Sequence, residues 1–459
     1  MQRFDVFVIG GGPAGKTLAD KCAKAGKSVG LAEPVGLGGT CTLRGCDPKR
    51  VMVTRTMAIQ DALNVHGRGL GGEPELNWGD TRAAVHEIID PLPDKTKATL
   101  EEAGVKVYDA YAEFTGSRAL RVGGEEVEAD AIVIATGQRP APLGIPGEAY
   151  AKTSQDFHDL ERIPERVLFV GGGYIGMESA HFLARAGAHV TILNKDDDPL
   201  PMFEPDLVGR FLDCTRTLGI DYVPNTSAAR ITKVADGRFR VSARTNDEDG
   251  EPTGEERTYD VDLVMNTAGR LPNLERLKLE AAGIEADERG GIAVDEYYRA
   301  KGAPQVFAIG DVSDSSGPPL TPVANLEAEA VVTTLTEGTP TSACYDGIAT
   351  VIYGLPELAC VGLLEEEARD GGYDVRVVQQ LDAGEKFNAK RSGARAYGYK
   401  VIVDEATDRL LGGHLIGPQA SEQINVLALA IRYGLTAEQL RLMPFAYPTW
   451  GSDVSGMMR

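Results

Sequence analysis

Apolar residues follow the same order in two separate stretches of the chain. Each stretch begins with a short apolar run typical of a buried strand, continues with a helical pattern and ends in a second apolar run. This order predicts a strand, a helix and a strand, the repeating unit of a parallel sheet. The predicted segments are residues 4–9, 16–25 and 28–32 in the first stretch, and 166–170, a helix ending near 186 and 190–193 in the second.

Glycines occupy the turn between strand and helix in the first stretch, at Gly10, Gly12 and Gly15. Glycine allows the tight turn and lets the backbone approach a pyrophosphate, which binds at the positive end of the helix. Glu33 follows the second strand, where an acid is expected to accept hydrogen bonds from the adenosine ribose hydroxyls. The first stretch therefore predicts a dinucleotide site.

The second stretch repeats this glycine spacing at Gly171, Gly173 and Gly176, so one chain is predicted to bind two dinucleotides. Its strand-end acid is replaced by Asn194, which Lys195 follows. A carboxylate there would repel a 2′-phosphate, whereas an amide and a cation tolerate or attract one. We therefore predict NADPH over NADH. Three aspartates at 196–198 and the lack of a nearby arginine leave NADH possible, and Lys195 could be only a solvated charge in a turn.

Two cysteines, Cys41 and Cys46, lie five positions apart directly after the first stretch. In a straight helix their Cα atoms would be roughly 7.5 Å apart along the axis, beyond the ~7 Å reach of a disulfide. Gly45 is where a helix is distorted at low cost, and Pro48 limits how the following turn is built. The spacing predicts a redox-active dithiol. The alternative is a pair of buried, inert cysteines.

Length and composition narrow the class of protein. A chain of 459 residues is expected to hold two to four domains. It has no run near the ~18 apolar residues of a membrane span and begins directly with a strand, so we expect a cytoplasmic protein without a signal peptide. The other four cysteines are expected to be reduced and structural, and no metal site is predicted. A net charge of −21 argues against nucleic acid or anionic membrane as a partner, and hints at a salty habitat.

Five motifs together resemble one enzyme family, the flavin-dependent pyridine nucleotide-disulfide oxidoreductases, which include glutathione reductase, dihydrolipoamide dehydrogenase and mercuric reductase. They are the cysteine-containing segment, two domain-junction motifs, a second flavin motif and the helix start after it, at residues 38–49, 134–137, 267–273, 308–311 and 320–324. The resemblance covers nearly the whole chain. It implies an α/β fold with two Rossmann-like domains, for FAD and NAD(P), plus a C-terminal α+β domain that forms a homodimer.

The resemblance also implies domain limits. The first and second parts of the FAD domain would flank the NAD(P) domain, and the dimerisation domain would follow. These four segments are residues 1–143, 270–338, 144–269 and 339–459. Within the NAD(P) domain, the acidic stretch 246–256 is expected to be a hairpin loop.

Roles in hydride transfer follow from the same resemblance. Nicotinamide would reduce the flavin, and the flavin would reduce a Cys41–Cys46 disulfide, with Cys46 as the charge-transfer thiolate and Cys41 as the thiol that attacks the acceptor. Lys49 would lie near flavin N5 and pair with Glu178, and Tyr174 would cover the flavin until nicotinamide arrives. Glu178 could instead be a first-turn acid that favours the helix dipole, and Tyr174 an ordinary packing residue.

The remaining cofactor contacts are implied by position in the motifs. The helix that starts near Pro322 would point its positive end at the N1 and O2 edge of the flavin, and Asp311 would contact the ribityl chain. The predicted cofactor-binding set, beyond the glycines and strand-end residues named above, is Thr40, Thr136, Gly137, Tyr174, Gly269, Arg270, Gly310, Asp311, Thr321 and Pro322.

The C-terminal segment departs from the family pattern. Disulfide-reducing members have a histidine and a nearby glutamate there, whereas this chain has Tyr447 and Ser452. A phenol with a pKa near 10 is a poor base at neutral pH. Mercuric reductases also carry tyrosine, but their paired C-terminal cysteines are absent from this chain. Glutathione is disfavoured as well, because Glu329 aligns with the arginine that binds its carboxylate.

Two enzyme hypotheses remain, and one that is not enzymatic. The favoured one is an NADPH-dependent FAD enzyme that uses Cys41 and Cys46 on a small disulfide, a metal ion or another electrophile. Its rival is a diaphorase, oxidase or quinone reductase in which the flavin delivers electrons directly and the dithiol is regulatory. The third is a redox-sensing binding protein.

Overall fold

The computed structural model describes residues 1–247, 250–286 and 290–459. Its helices are α1 (Pro13–Lys24), α2 (Gly39–Arg44), α3 (Cys46–Asn64), α4 (Trp78–Ile89), α5 (Leu92–Glu102), α6 (Tyr174–Arg185), α7 (Pro205–Thr217), α8 (Thr321–Glu337), α9 (Glu365–Asp370), α10 (Phe387–Ser392), α11 (Ala420–Arg432) and α12 (Ala437–Leu442).

The strands through the second glycine-rich stretch are β1 (Gln2–Ile9), β2 (Val29–Ala32), β3 (Lys106–Tyr108), β4 (Ala112–Phe114), β5 (Ala119–Val122), β6 (Glu125–Ile134), β7 (Gln138–Pro140), β8 (Lys152–Thr153), β9 (Arg166–Val170) and β10 (His189–Leu193). The strands that follow are β11 (Asp221–Val223), β12 (Thr226–Lys233), β13 (Phe239–Asn246), β14 (Pro252–Val261), β15 (Leu263–Asn266), β16 (Arg270–Pro272), β17 (Arg299–Ala300), β18 (Ala303–Ala308), β19 (Ala349–Ile352), β20 (Leu358–Gly362), β21 (Val375–Gln380), β22 (Gly398–Asp404) and β23 (Arg409–Ile416).

The first of two compact units consists of residues 1–49, 83–141 and 269–345. Its main sheet has the order β17-β18-β6-β1-β2-β3, and β1 is parallel to both β2 and β6. Val6 and Val8 of β1 belong to a core cluster with residues of α1 and α8. Phe7 belongs to a second cluster with residues of β6 and β18. Strand β1 is thus covered on both faces, which explains its nearly continuous apolar sequence.

The second unit consists of residues 50–82, 142–268 and 346–459. It contains a parallel sheet with the order β11-β10-β9-β15-β8, and an antiparallel three-stranded sheet, β12-β13-β14. A second five-stranded sheet, β19-β20-β23-β22-β21, is antiparallel. Its core includes Ile424 and Leu427 of α11, packed with Val401 of β22. The predicted α/β fold class is confirmed, while the predicted domain limits stay a prediction.

Local differences from the sequence prediction have simple causes. Helix α1 begins at Pro13, earlier than predicted, because the fixed φ of proline suits the first helical position. Pro48 lies in the first turn of α3 rather than in a turn after it, where its missing N–H costs no helical hydrogen bond. The loop predicted at 246–256 is shorter, since β13 reaches Asn246 and β14 begins at Pro252. Residues 248 and 249 of that loop lie outside the described residues.

Candidate active site

At two of its three motif glycines, Gly10 and Gly15, the first glycine-rich turn is packed too closely for a side chain. Gly10 has a φ of +107°, and a Cβ there would lie 2.4 Å from the carbonyl oxygen of Ala135. A Cβ at Gly15 would lie 1.9 Å from the oxygen of Gly10. Gly12 caps α1 without a side-chain hydrogen bond, so the N-terminal N–H groups of the helix face the turn. This geometry fits a pyrophosphate.

Glu33 holds this turn through its carboxylate. Its Oε2 accepts a hydrogen bond of 2.8 Å from the N–H of Gly11, and its Oε1 accepts one of 2.9 Å from the N–H of Val35. A carboxylate has about four acceptor positions, so it retains capacity for ribose hydroxyls. The predicted ribose contact stays a prediction, and the structure adds a role in shaping the turn.

Residues predicted from the junction and flavin motifs lie close together in the first unit. Arg270 donates to the carbonyl oxygen of Gln138, and a 3.4 Å hydrogen bond joins it to the hydroxyl of Thr40. Burial raises the pKa of the Asp311 carboxyl, and the nearby Arg270 acts in the opposite direction. The hydroxyl of Thr136 is buried and has no hydrogen-bond partner among the described residues. An unused buried hydroxyl beside a glycine-rich turn fits a bound FAD.

Glu327 on α8 was missed from the sequence. Its side chain is fully buried, and its two oxygens accept hydrogen bonds from the N–H of Gly310 at 2.6 Å and the hydroxyl of Ser315 at 2.6 Å. Tyr345 donates a further hydrogen bond of 2.8 Å. Glu327 therefore holds the loop that carries Asp311. Its signal in the sequence is an acid among the apolar residues of the buried face of α8.

The two cysteines lie on either side of a break between helices. Helix α2 ends at Arg44, α3 begins at Cys46, and Gly45 between them has a φ of −136° and a ψ of −105°. This confirms the predicted distortion at Gly45. Cys41 is half-buried and Cys46 is exposed, so the pair is not the buried, inert one considered as an alternative.

Hydrogen bonds favour the thiolate of Cys41. The Cys46 side chain contributes most and the hydroxyl of Thr321 contributes further, and together they lower the pKa of Cys41 from 9.0 to about 7. Burial and the carboxylate of Asp47 act in the opposite direction. Thr321 is the first residue of α8. The structure thus brings together three predicted site residues, Cys41, Cys46 and Thr321, and Pro322 follows at the same helix start.

The second glycine-rich turn has the same close packing as the first. Gly171 has a φ of +106°, and a Cβ there would lie 2.4 Å from the oxygen of Thr267. A Cβ at Gly176 would lie 2.4 Å from the oxygen of Gly171, whereas one at Gly173 would meet nothing within 4 Å. Tyr174 is the first residue of α6 and is about half exposed, and its predicted role as a cover of the flavin stays a prediction.

Asn194 replaces the carboxylate of the first turn. Its Oδ1 accepts a hydrogen bond of 3.0 Å from the N–H of Gly172, and its Nδ2 donates one of 2.8 Å to the oxygen of Asp196. Lys195 is exposed, and its carbonyl oxygen accepts a hydrogen bond of 2.8 Å from the side chain of Asn246. The carboxylate of Asp197 accepts a weak hydrogen bond of 3.4 Å from Asn225. The neutral amide is therefore fixed at the strand end, with a cation next to it.

Glu178 is buried in the fifth position of α6, with 2% of its surface exposed. The alternative interpretation, a first-turn acid, is therefore wrong. Its Oε1 accepts a hydrogen bond of 2.8 Å from the N–H of Tyr353, and Arg50 lies over the Tyr353 ring at 4.2 Å. Sequence reasoning missed Arg50, although it directly follows Lys49. Lys49 belongs to the first unit and Glu178 to the second, and their pairing stays a prediction.

The C-terminal segment presents an exposed phenol. Tyr447 is 76% exposed, and its ring lies 6.4 Å from that of Phe387. Among the described residues, none forms a hydrogen bond with its hydroxyl. The hydroxyl of Ser452 donates a hydrogen bond of 2.6 Å to the carbonyl oxygen of Thr449, at the start of the final helical turns. Neither residue reproduces the family's histidine and glutamate.

Family models match two parts of the chain. The pyridine nucleotide-disulphide oxidoreductase model matches residues 4–328, and the dimerisation domain model of the same family matches residues 348–457. The chain belongs to this family. Its members are enzymes, which excludes the interpretation as a binding protein without catalytic activity. FAD and a pyridine nucleotide are the cofactors of the family, and the dimerisation domain indicates a homodimer.

Relatives match over nearly the full length. Dihydrolipoyl dehydrogenase of Haloferax volcanii is 31% identical over 98% of this chain and 94% of its own. Glutathione reductase of Nostoc is 31% identical over 94% of both chains. The solved structure of the HOCl-induced flavoprotein disulfide reductase RclA from Escherichia coli superposes with a TM-score of 0.87 at 28% identity, covering 99% of each chain. In the described part of this chain, no helix is long and apolar enough to cross a membrane.

Proposed function

We propose that the chain is an NADPH-dependent flavoprotein reductase that passes electrons through Cys41 and Cys46 to a small disulfide or another electrophile. The observation that carries this proposal is the lowered pKa of Cys41, about 7, beside the exposed thiol of Cys46. A thiol attacks fastest when its pKa is close to the ambient pH. FAD, when bound, would supply the two-electron chemistry between nicotinamide and the dithiol.

Thiol-disulfide exchange accounts for the role of each cysteine. The thiolate of Cys41 attacks one sulfur of the acceptor disulfide, and the other sulfur leaves as a thiolate. The thiolate of Cys46 then attacks the sulfur of Cys41, which releases the second thiol and restores the Cys41–Cys46 disulfide. Two electrons move from the dithiol to the acceptor. The hydroxyl of Thr321 stabilises the attacking thiolate, since a hydrogen bond to the charged form favours it.

The proposed preference for NADPH over NADH depends on the end of the second strand in the second unit. Support comes from the neutral Asn194 in the position where the first turn has a carboxylate, and from the exposed Lys195 beside it. The three aspartates that follow act against this preference, and kinetics with both nucleotides decide between them.

The acceptor is proposed to differ from glutathione disulfide. Glu329 is negatively charged where glutathione reductase has a carboxylate-binding arginine, although an ion pair with Lys21 of α1 offsets part of that charge. Tyr447 supplies a hydrogen-bonding hydroxyl rather than a base. The full-length likeness to a flavoprotein disulfide reductase supports a disulfide acceptor. The four cysteines outside the redox pair are free thiols, which fits a reducing compartment, and we place the enzyme in the cytoplasm.

Cysteine variants of the FAD-loaded dimer test the dithiol route. Cys41→Ser is expected to abolish disulfide reduction, and Cys344→Ser, which changes an exposed cysteine outside the dithiol, is the matched control. A long-wavelength thiolate-flavin band after titration with two electrons of NADPH is the spectroscopic readout. Wild-type disulfide turnover in Cys41→Ser would contradict the proposal.

A diaphorase or quinone reductase is the second candidate, and the lack of a base partner for Tyr447 favours it. The same variants discriminate, because full activity of Cys41→Ser with a quinone, together with no turnover of any disulfide by the wild type, would assign electron delivery to the flavin. Tyr447→His tests the missing base directly. A rise in disulfide turnover would show that proton transfer limits exchange, and an unchanged rate would show that the pocket excludes disulfides.

A further inference from the structure

A cavity of about 280 Å³ lies wholly within the second unit. Its walls are the end of α3, the end of α6, α7 and the segments around Pro356 and Ala394. Arg185 is the last residue of α6 and lies eleven positions after Tyr174, which is about 16 Å along a helix. The cavity is therefore a separate place from the glycine-rich turn at the start of α6.

Three arginines line this cavity, and two of them have no anionic partner among the residues that the structure describes. Arg185 donates to the side chain of Gln60, but its Nε is buried and has no acceptor among the described residues. Arg395 also lines the cavity, and no hydrogen bond or ion pair joins it to any residue that the structure describes. Burial and the charge of Arg395 both lower the pKa of Arg185. Two guanidinium groups close enough to repel each other favour a bound anion.

Most acidic groups of the lining are paired with other residues, so they do not neutralise the positive charge of Arg185 and Arg395. Glu357 is held by Arg50 at 3.5 Å and by the N–H of Ser421 at 3.0 Å. Asp213 pairs with Arg216 at 3.2 Å. The third arginine of the lining, Arg210, pairs with Asp382 at 3.6 Å.

Asp61 is the remaining acid of the lining, and burial raises its pKa. Two guanidinium groups against one carboxylate leave room for one negative charge. The site is therefore matched to a monoanion rather than to a phosphate dianion.

The other walls of the cavity are apolar. Met57 of α3 faces the space from one side, and Leu218 and Leu355 line it from others, together with Pro356 and Pro418. Such walls accept the hydrocarbon part of a ligand and gain from its burial. A guanidinium fork recognises a carboxylate through two parallel hydrogen bonds.

We propose that this cavity binds a small carboxylic acid with an apolar body, its carboxylate between Arg185 and Arg395 and its hydrocarbon against Met57 and Leu355. The site is independent of the reductase assignment, because its occupancy is a binding equilibrium that needs no turnover. Cys214 lines the same cavity and is half-buried, so it reports occupancy through its accessibility to alkylation.

Calorimetry on the FAD-loaded enzyme tests this proposal with 4-phenylbutyrate as the probe. Saturable binding is expected for 4-phenylbutyrate, with at least tenfold weaker binding of 4-phenylbutanol, which keeps the body and lacks the charge. Inorganic phosphate, which has the charge and lacks the body, is also expected to bind at least tenfold more weakly. Arg395→Gln is expected to weaken 4-phenylbutyrate at least tenfold, while Arg118→Gln, at an exposed arginine of the first unit, leaves it unchanged.

Alkylation of Cys214 by iodoacetamide, followed by mass spectrometry, is the second readout. Bound 4-phenylbutyrate is expected to slow labelling of Cys214 several-fold in the wild type and not in Arg395→Gln. Thr217→Trp, which places a ring at the lining, is expected to abolish binding without removing an arginine. Absence of binding at millimolar probe, equal affinity for 4-phenylbutanol or phosphate, or undiminished binding in Arg395→Gln would each overturn the proposal.

Discussion

The two glycine-rich units are built alike and differ at the end of their second strand. In both, the first glycine has a φ near +107°, and a Cβ added to it would lie 2.4 Å from a carbonyl oxygen. In both, a side chain at the strand end accepts a hydrogen bond from the glycine that follows the first one: Glu33 from Gly11 at 2.8 Å and Asn194 from Gly172 at 3.0 Å. The turn needs an acceptor there and not a charge. The charge is therefore free to vary with the nucleotide.

The two units also differ along the helices that follow the glycine-rich turns. Helix α6 buries His181 at the position that corresponds to Asp20 of α1. Asp20 instead accepts a hydrogen bond of 2.7 Å from Lys24. Only the first unit continues into the dithiol. The two copies thus share what the turn requires, and they diverge wherever a side chain contacts something beyond the turn.

The largest expected effect comes from the glycines themselves. Gly171→Ala forces a Cβ to 2.4 Å from a carbonyl oxygen at a positive φ, whereas Gly173→Ala meets nothing within 4 Å. We expect Gly171→Ala to destabilise the second unit by several kcal/mol, of the size typical for strain combined with a clash. Gly173→Ala is expected to leave the unfolding free energy within about 0.5 kcal/mol of wild type. Urea titrations measure both, and equal stability of the two variants would contradict the shared geometry.

Exchange of the strand-end residue tests the charge directly. Asn194→Glu keeps an acceptor for the N–H of Gly172 but adds a negative charge, so we expect kcat/KM for NADPH to fall at least tenfold and that for NADH to rise. Tenfold corresponds to about 1.4 kcal/mol. Steady-state kinetics with both nucleotides measure the change, and Glu33→Gln in the first unit is the control for nucleotide choice. An unchanged ratio would remove Asn194 from the specificity argument.

The buried histidine of α6 predicts a loss of stability in acid. The Nδ1 of His181 accepts a hydrogen bond of 2.9 Å from the N–H of Leu355. Its Nε2 donates a hydrogen bond of 2.9 Å to the hydroxyl of Thr215, which in turn donates to the carbonyl oxygen of Phe211. Burial, with a smaller effect of Arg185, lowers the pKa of His181 to about 3. A second proton on the ring would bind at Nδ1, where it has no acceptor, and Nδ1 could then no longer accept the hydrogen bond from Leu355.

Because this pKa lies below the unfolded value near 6.5, the stabilisation is complete above pH 6.5 and is lost as the pH falls. The expected loss is about 1.4 kcal/mol per pH unit, or about 2 kcal/mol at pH 5. Urea titrations at pH 7 and pH 5 measure it. His181→Gln should flatten the dependence, while His66→Gln, at an exposed loop histidine, should not. Burial also lowers the pKa of His414, so a smaller slope is expected to remain in His181→Gln.

The smallest expected effect concerns the dithiol that only the first unit has. Thr321→Val removes a hydrogen bond that lowers the pKa of Cys41, so the pKa should rise above 7 and the alkylation rate at pH 7 should fall several-fold. Asp47→Asn removes a charge that raises this pKa and should shift it the opposite way. The pH dependence of iodoacetamide labelling of the reduced enzyme measures both. Shifts of the same sign in the two variants would refute this account of the thiolate.

Prediction from the sequence succeeded where one short segment dictates its own geometry. The glycine turns, the break at Gly45 and the helix start at Thr321 follow from local backbone requirements, and all of them are present. Prediction failed where a residue's meaning depends on its surroundings. The alternative interpretation of Glu178 as a first-turn acid failed because α6 begins at Tyr174 and buries Glu178, which accepts a hydrogen bond from the N–H of Tyr353; its pairing with Lys49 stays a prediction.

The sequence alone determined the two dinucleotide units, the dithiol and the family. The reason is that glycine positions, cysteine spacing and apolar periodicity act over a few residues of backbone. Only the tertiary structure decided which side chains meet, such as Thr321 with Cys41, Glu327 with Gly310, and Arg185 with Arg395. The first and last of these pairs join residues more than 200 positions apart, so their energies depend on distance, burial and neighbouring charge, which no local pattern encodes.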